Sequence, residues 1–262
     1  MTDGALERVA IEAAHAGGDV LRRRFAERAT LAVETKARHD YVTEVDLEAE
    51  AAVVEVLRQR TPHHAILAEE GSLGALESST RWIVDPLDGT TNFIHGVPTF
   101  AVSIGLQSDD GLLVGVVHDP CRDETFHARR GGGAFLNGQA IRCTTVPHLD
   151  TALIATGFPF REMSRLAEYL RAFERFVRTT SGLRRAGSAS LDLAYTACGR
   201  YDGFFEVGLF PWDLAGGSLL VMEASGTVTD VRGGSGFVEA GSVVAAGRGL
   251  HAEMLAITRE LL

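Results

Sequence analysis

The stretch Trp82-Ile83-Val84-Asp85-Pro86-Leu87-Asp88-Gly89-Thr90-Thr91-Asn92-Phe93 constrains this chain more than any other. An apolar, strand-like run ends in two carboxylates three residues apart. A Pro lies between them, and a Gly-Thr-Thr turn able to start a helix follows. Pro86 lacks a backbone donor and fixes φ, which suits a strand passing into a loop. Carboxylates this close repel unless a cation lies between them, and the Leu87 carbonyl could serve such an ion as a neutral oxygen ligand. The turn can offer backbone N–H groups to an anion. A cation and an anion on one loop point to metal-assisted phosphate chemistry. The competing expectation is a plain turn, with Asp85 and Asp88 capping the helix that begins near Thr90.

At 262 residues the chain can bury a large core, as one domain or two closely packed halves. A formal net charge of −10 argues against a surface built to grip nucleic acid. Part of that acidity is what a metal site would contribute. The cysteines, Cys121, Cys143 and Cys198, are odd in number, far apart and never in a C-x-x-C pair. Reduced thiols and a cytoplasmic location are therefore expected, with neither a disulfide framework nor a zinc site. No run approaches the roughly 18 apolar residues of a membrane span, and the acidic N-terminus is unlike a signal peptide.

Apolar residues at three- and four-residue steps predict a helix from Asp3 to about Glu27. A second runs from about Val45 to Arg60, with Leu47, Ala51, Val54 and Leu57 on one face, and Pro62 stops it. Arg22-Arg23-Arg24 is expected to be a solvated helix end. From Ala65 to Arg142 short apolar runs separated by Gly, Asp, Asn and Pro predict a largely antiparallel sheet, with a hairpin at Ser108-Asp109-Asp110-Gly111. After about Leu149 strand and helix alternate. Helices are expected near Arg161–Thr179, Ser188–Gly199, Trp212–Ala224 and from Gly249 to the end, and strands at Ala152–Ala155, Gly203–Glu206 and Val243–Ala246. A sheet-rich N-terminal half (1–149) and an α/β C-terminal half (150–262) should pack as layers without a linker.

Other acids join the first pair. Glu69-Glu70 follows the strand Ala65–Ala68 and could add a ligand at the same sheet edge. Asp213, in Pro211-Trp212-Asp213-Leu214, opens a helix; it is either a dipole partner or a further ligand. Thr90 and Asp46 are a candidate pair for water activation, because a carboxylate can accept the proton of a hydroxyl that orients the water. Gly187-Ser188-Ala189 opens a helix after Arg184-Arg185 and could bring backbone amides to a ligand. Glu206, at a strand end, could accept hydrogen bonds from ligand hydroxyls or stand exposed.

Together these pieces resemble the inositol monophosphatase family of Mg²⁺-dependent, lithium-sensitive sugar phosphatases. The resemblance rests on Trp82–Phe93, Pro211–Gly226, Ala68-Glu69-Glu70, Val42-Thr43-Glu44-Val45-Asp46, Arg130–Gln139 and Gly187-Ser188-Ala189. Thr151–Phe160 and Arg184–Trp212 are most similar to the bacterial branch, some members of which also bind the transcription machinery. The resemblance implies an α+β fold, a layered αβαβα sandwich. It implies two to three Mg²⁺ per site: Glu69, Asp85 and the Leu87 carbonyl on the first, Asp85, Asp88 and Asp213 on the second, with a weaker third near Glu69. Asp46 and Thr90 would orient the attacking water, and Gly89 and Thr90 would give amides to phosphate. Asp88, Arg184, Gly187, Ser188, Ala189, Glu206 and Asp213 would face the sugar or cyclitol. A homodimer is also implied.

The expected activity is hydrolysis of inositol-1-phosphate and related polyol phosphates. One rival is a different substrate on the same scaffold, such as fructose-1,6-bisphosphate, histidinol phosphate or a nucleotide 3′-phosphate. Another is a protein that binds RNA polymerase or its factors, with hydrolysis incidental. No membrane partner and no direct nucleic-acid contact are expected.

Overall fold

The computed structural model describes residues 1–27, 33–37, 40–71, 79–160 and 163–261; of 33–37 and 40–43 it describes the backbone alone. Two long helices, α1 (Asp3–Ala26) and α2 (Glu44–Arg60), flank a short antiparallel hairpin of β1 (Val33–Ala37) and β2 (Asp40–Thr43). A seven-stranded sheet follows: β3 (Ala65–Ala68), β4 (Thr80–Asp88), β5 (Ala101–Ser108), β6 (Gly111–Asp119), β7 (Glu124–Arg129), β8 (Gly133–Leu136) and β9 (Gln139–Ile141), in chain order. The β3–β4 pair is parallel and the rest antiparallel. A short helix, α3 (Thr90–His95), leaves the end of β4.

The second sheet is built from β10 (Leu153–Thr156), β11 (Gly182–Arg184), β12 (Gly203–Val207), β13 (Gly226–Thr229) and β14 (Ser242–Gly247), in the order β11-β10-β12-β14-β13. Parallel pairing holds β11, β10 and β12, and antiparallel pairing adds β14 and β13. The helices between them are α4 (Leu166–Thr179), α5 (Ala189–Ala197), α6 (Pro211–Glu223), α7 (Phe237–Ala240) and α8 (Arg248–Thr258).

These elements stack as five layers: α1 and α2, the first sheet, α5 and α6, the second sheet, then α4 and α8. Three apolar cores fill the gaps. The period-two alternation of strands divides β4 between two of them: Trp82 and Val84 enter the core under α1 and α2, while Ile83 faces the central layer. Small residues let α6 lie close on the first sheet. A Cβ on Gly115 would sit 2.3 Å from the Gly216 carbonyl oxygen, and one on Gly105 would sit 2.6 Å from the Ala215 Cβ. That approach brings the N-terminus of α6 to the end of β4.

Several expectations need correction. The buried face of α2 comprises Val45, Asp46, Ala49, Glu50, Val53, Val54 and Leu57, whereas Leu47 and Ala51 are exposed. Apolar periodicity misplaced the face because two of its buried positions are acids. Strand β4 extends beyond Val84 through both aspartates. The short strands β1, β2, β9, β11 and β13 are not predicted from the sequence, because three to five residues carry too little pattern. The predicted helix start at Arg161 lies outside the described residues; α4 begins at Leu166, after a 3₁₀ turn at Met163–Arg165. The last helix ends at Thr258, with another 3₁₀ turn beyond it.

Candidate active site

In a regular strand, residues three apart point to opposite faces. Asp85 pairs with Ser103 and Asp88 with Ala101, so three steps on β4 match two on β5. The extra residue makes a β-bulge at Pro86, which has no N–H to give the ladder. The bulge restores Asp88 to the side of Asp85, facing α6. Gly89 follows with φ of 104°, and a Cβ there would come within 2.9 Å of the Thr99 carbonyl oxygen. Only glycine turns the chain this tightly into α3.

Each aspartate is held by separate donors. Asp85 Oδ1 accepts from the Leu87 amide at 2.9 Å. Asp88 Oδ2 accepts from Ser188 Oγ at 2.7 Å, the Ser190 amide at 2.7 Å and Ser190 Oγ at 2.5 Å. Asp213 Oδ2 accepts from the Phe210 amide at 2.7 Å, one turn back at the start of α6. Asp213 thus stands in the first turn of α6, as the helix-dipole reading has it, and also in the cluster. One oxygen from each of the three lies within 4.8 Å of the others. Burial pushes the Asp85 carboxyl well above the ordinary carboxylate range, and Glu69, Asp88 and Asp213 push it further. Burial also raises Asp88, against the lowering effect of its hydroxyl and amide donors.

Such an arrangement is costly for the protein alone, because buried like charges neither hydrate nor neutralise one another. Hard carboxylate oxygens are the donor set of Mg²⁺, so the residues fit that ion. Glu69 lines the same cavity, and its amide donates to the Val84 carbonyl on neighbouring β4 at 3.2 Å. Leu87 buries its side chain in the outer core and lines the cavity too.

Thr90 Oγ1 lies 3.1 Å from Asp46 Oδ1 and 3.1 Å from the Leu87 carbonyl oxygen. The pairing of Asp46 with Thr90, which spacing alone left open, is therefore present. The hydroxyl has one proton for two acceptors. If a cation takes the Leu87 carbonyl, that proton goes to Asp46, and a lone pair of Oγ1 is free to orient a water.

Gly89, Gly187, Ser188, Ala189 and Glu206 all line the cavity. Asn92 Nδ2 ties the loop before α5 to α3, donating to the Ala186 carbonyl at 2.9 Å. Gly157 lies under Glu206, where a Cβ would come within 2.0 Å of the carboxylate. Arg184 is not among the lining residues; it is exposed and donates to the Leu183 carbonyl at 2.9 Å. Its neighbour Arg185 lines the cavity, with its guanidinium 5.4 Å from the Phe158 ring and 5.3 Å from the Phe160 ring. Sequence reasoning also missed Ser190, Phe158 and Phe160. Ser190 follows the Gly-Ser-Ala motif directly, a signal that was available; the two phenylalanines carry none.

A model of the inositol monophosphatase family matches residues 4–262. The chain belongs to this family. It is 49% identical over 244 residues to the protein named Nus factor SuhB of Pseudomonas aeruginosa, covering 90% of this chain and 89% of the relative. The crystal structure of the extragenic suppressor protein suhB from Bartonella henselae superposes with a TM-score of 0.92 at 40% identity, covering 98% of each chain. An inositol monophosphatase from Anabaena superposes with a TM-score of 0.86 at 35% identity, covering 98% of this chain and 96% of the other. The layered α+β architecture is thus that of bacterial inositol monophosphatases. Family membership supports a phosphatase, in a family that generally depends on metal ions. Among the described residues no helix is long and apolar enough to cross a membrane.

Proposed function

We propose that this protein is a Mg²⁺-dependent phosphomonoesterase that hydrolyses inositol-1-phosphate and related polyol phosphates. The observation that carries the reading is the trio of buried aspartates with an oxygen from each within 4.8 Å. Asp85, Asp88 and Asp213, with Glu69 and the Leu87 carbonyl, would hold two Mg²⁺, and Glu69 would lend a weaker third. When bound, the ions would neutralise phosphate charge, acidify a water to attack at neutral pH and stabilise the leaving oxygen.

The chain's own residues do the rest. Asp46 takes the hydrogen bond of Thr90, which aims the hydroxyl lone pair at the attacking water. The Gly89 and Thr90 amides, at the turn into α3, face the phosphate. Ser188 and Ser190 fix the Asp88 carboxylate, so little reorganisation is needed during reaction. Gly187, Ser188, Ala189 and Glu206 contact the polyol, and Glu206 accepts from its hydroxyls. Arg185 takes the rim position first expected for Arg184.

A substrate panel with Mg²⁺ tests this reading. Inositol-1-phosphate should be cleaved with the highest kcat/KM. A tenfold or greater preference for fructose-1,6-bisphosphate would overturn it, and Arg185 on the cavity wall makes that comparison a demanding one. The Nus-factor naming of relatives at up to 49% identity supports a second role, contact with the transcription machinery. Asp88→Asn separates the two roles, because it should lose hydrolysis and keep a surface contact. The working form is proposed to be a lithium-sensitive cytoplasmic homodimer.

A further inference from the structure

The face that α2 buries carries two carboxylates one turn apart, Asp46 at 1% and Glu50 at 8% exposure. A spacing of four residues puts both on the same side of a helix. Asp46 meets Thr90, as described. Glu50 reaches another loop of the site: its Oε2 accepts from the Glu70 amide at 2.9 Å. That amide belongs to the peptide linking Glu69 to Glu70. On its other side Glu69 is tied through its own amide to the Val84 carbonyl of β4 at 3.2 Å. The backbone of Glu69 is thus fixed twice, once by the strand that leads to Asp85 and once by a buried carboxylate of α2.

A buried acid is retained at a cost unless it makes a strong hydrogen bond, and an amide donating to a carboxylate is one of the stronger kinds. We propose that Glu50 is a positioning residue, which through the Glu70 amide sets the Glu69 carboxylate for its cation. The inference rests on the cation-binding reading of the cavity. It makes the first turns of α2 a rigid bar with two attachments to the site: Asp46 orients the Thr90 hydroxyl, and Glu50 orients the Glu69 loop. The spacing between these two attachments is then set by four residues of helix, about 6 Å of rise.

Three variants of the full chain separate positioning from packing and from direct charge. Glu50→Gln keeps an oxygen acceptor for the Glu70 amide, Glu50→Leu keeps the volume without it, and Glu50→Ala removes both. Mg²⁺ affinity is measured by titration calorimetry on EDTA-treated protein, with thermal unfolding in EDTA as the readout of packing. Glu50→Gln should bind within about threefold of the unsubstituted protein. Glu50→Leu and Glu50→Ala should bind on the order of tenfold more weakly, as loss of a residue supporting a ligand does. The Leu variant should do so while keeping most of the melting temperature. Unchanged affinity in Glu50→Leu overturns the inference. So does an equal loss in Glu50→Gln, which would make Glu50 act through its charge. If the unsubstituted protein binds no Mg²⁺, the cation reading itself fails along with the inference, an outcome distinct from unsubstituted binding that the Leu variant fully retains.

Discussion

The buried end of the cavity and its rim are held by different forces. At the buried end Asp85, Asp88 and Asp213 are each at most 8% exposed, and each is tied by hydrogen bonds to backbone amides or serine hydroxyls. At the rim Arg185 is exposed and Phe160 is 40% exposed, and the guanidinium meets the ring in a cation–π contact. Directional hydrogen bonds fix an oxygen where an ion needs it. A guanidinium on a ring fixes little more than proximity, and is worth about 0.5–1 kcal/mol at an exposed site. The buried end is therefore where chemistry should fail when it is changed, and the rim is where selectivity should drift.

The largest effect should come from Asp85→Asn, since Asp85 is assigned to both ions. Its kcat for inositol-1-phosphate should fall by about 10³-fold or more, beyond the 10²–10³ of a single electrostatic contact. Thr90→Ala should come next, with a loss of about 10²-fold in kcat and a smaller change in KM, the low end of what a water-orienting group contributes. Full activity in either variant would remove the distinction between the two ends.

Stability should respond to pH through the same aspartates. Asp85 is raised above its unfolded value, so the cation-free fold holds a proton that the unfolded chain releases. Between those two values a rise in pH favours unfolding, and stability falls. A cation takes the place of that proton. The gain in melting temperature from Mg²⁺ over EDTA should therefore grow as pH rises above the ordinary carboxylate range. At a hundredfold excess over the dissociation constant it should reach about 5 °C or more. A gain independent of pH would mean that the ion binds elsewhere.

The smallest effects belong to the rim. Arg185→Ala should raise KM about fivefold with kcat nearly unchanged, while Arg184→Ala should stay within about twofold on both. The reverse order would return the role to Arg184.

The same contrast explains what could be read from the chain. Asp85, Asp88 and Glu69 stand at strand ends marked by Pro and Gly, so local pattern exposes them; periodicity separates a sheet-rich half from an α/β half, and the five-layer order is what the family resemblance implies. Asp46 and Glu50 were harder, because acids on a buried helix face look like solvent-facing residues until their partners, Thr90 and the Glu70 amide, are known. Those partners are 44 and 20 residues away. The choice between Arg184 and Arg185 depends on which side of a short strand end faces the cavity. Phe158 and Phe160 act through surroundings that come from elsewhere in the chain.

The central claim is that hydrolysis depends on cations held by the buried acids. Its most direct test follows phosphate release from inositol-1-phosphate by EDTA-treated protein as Mg²⁺ is added back. The account predicts negligible release without the ion, a saturable rise with it, and no rise in Asp85→Asn. An equal rate in EDTA and in Mg²⁺ would contradict it.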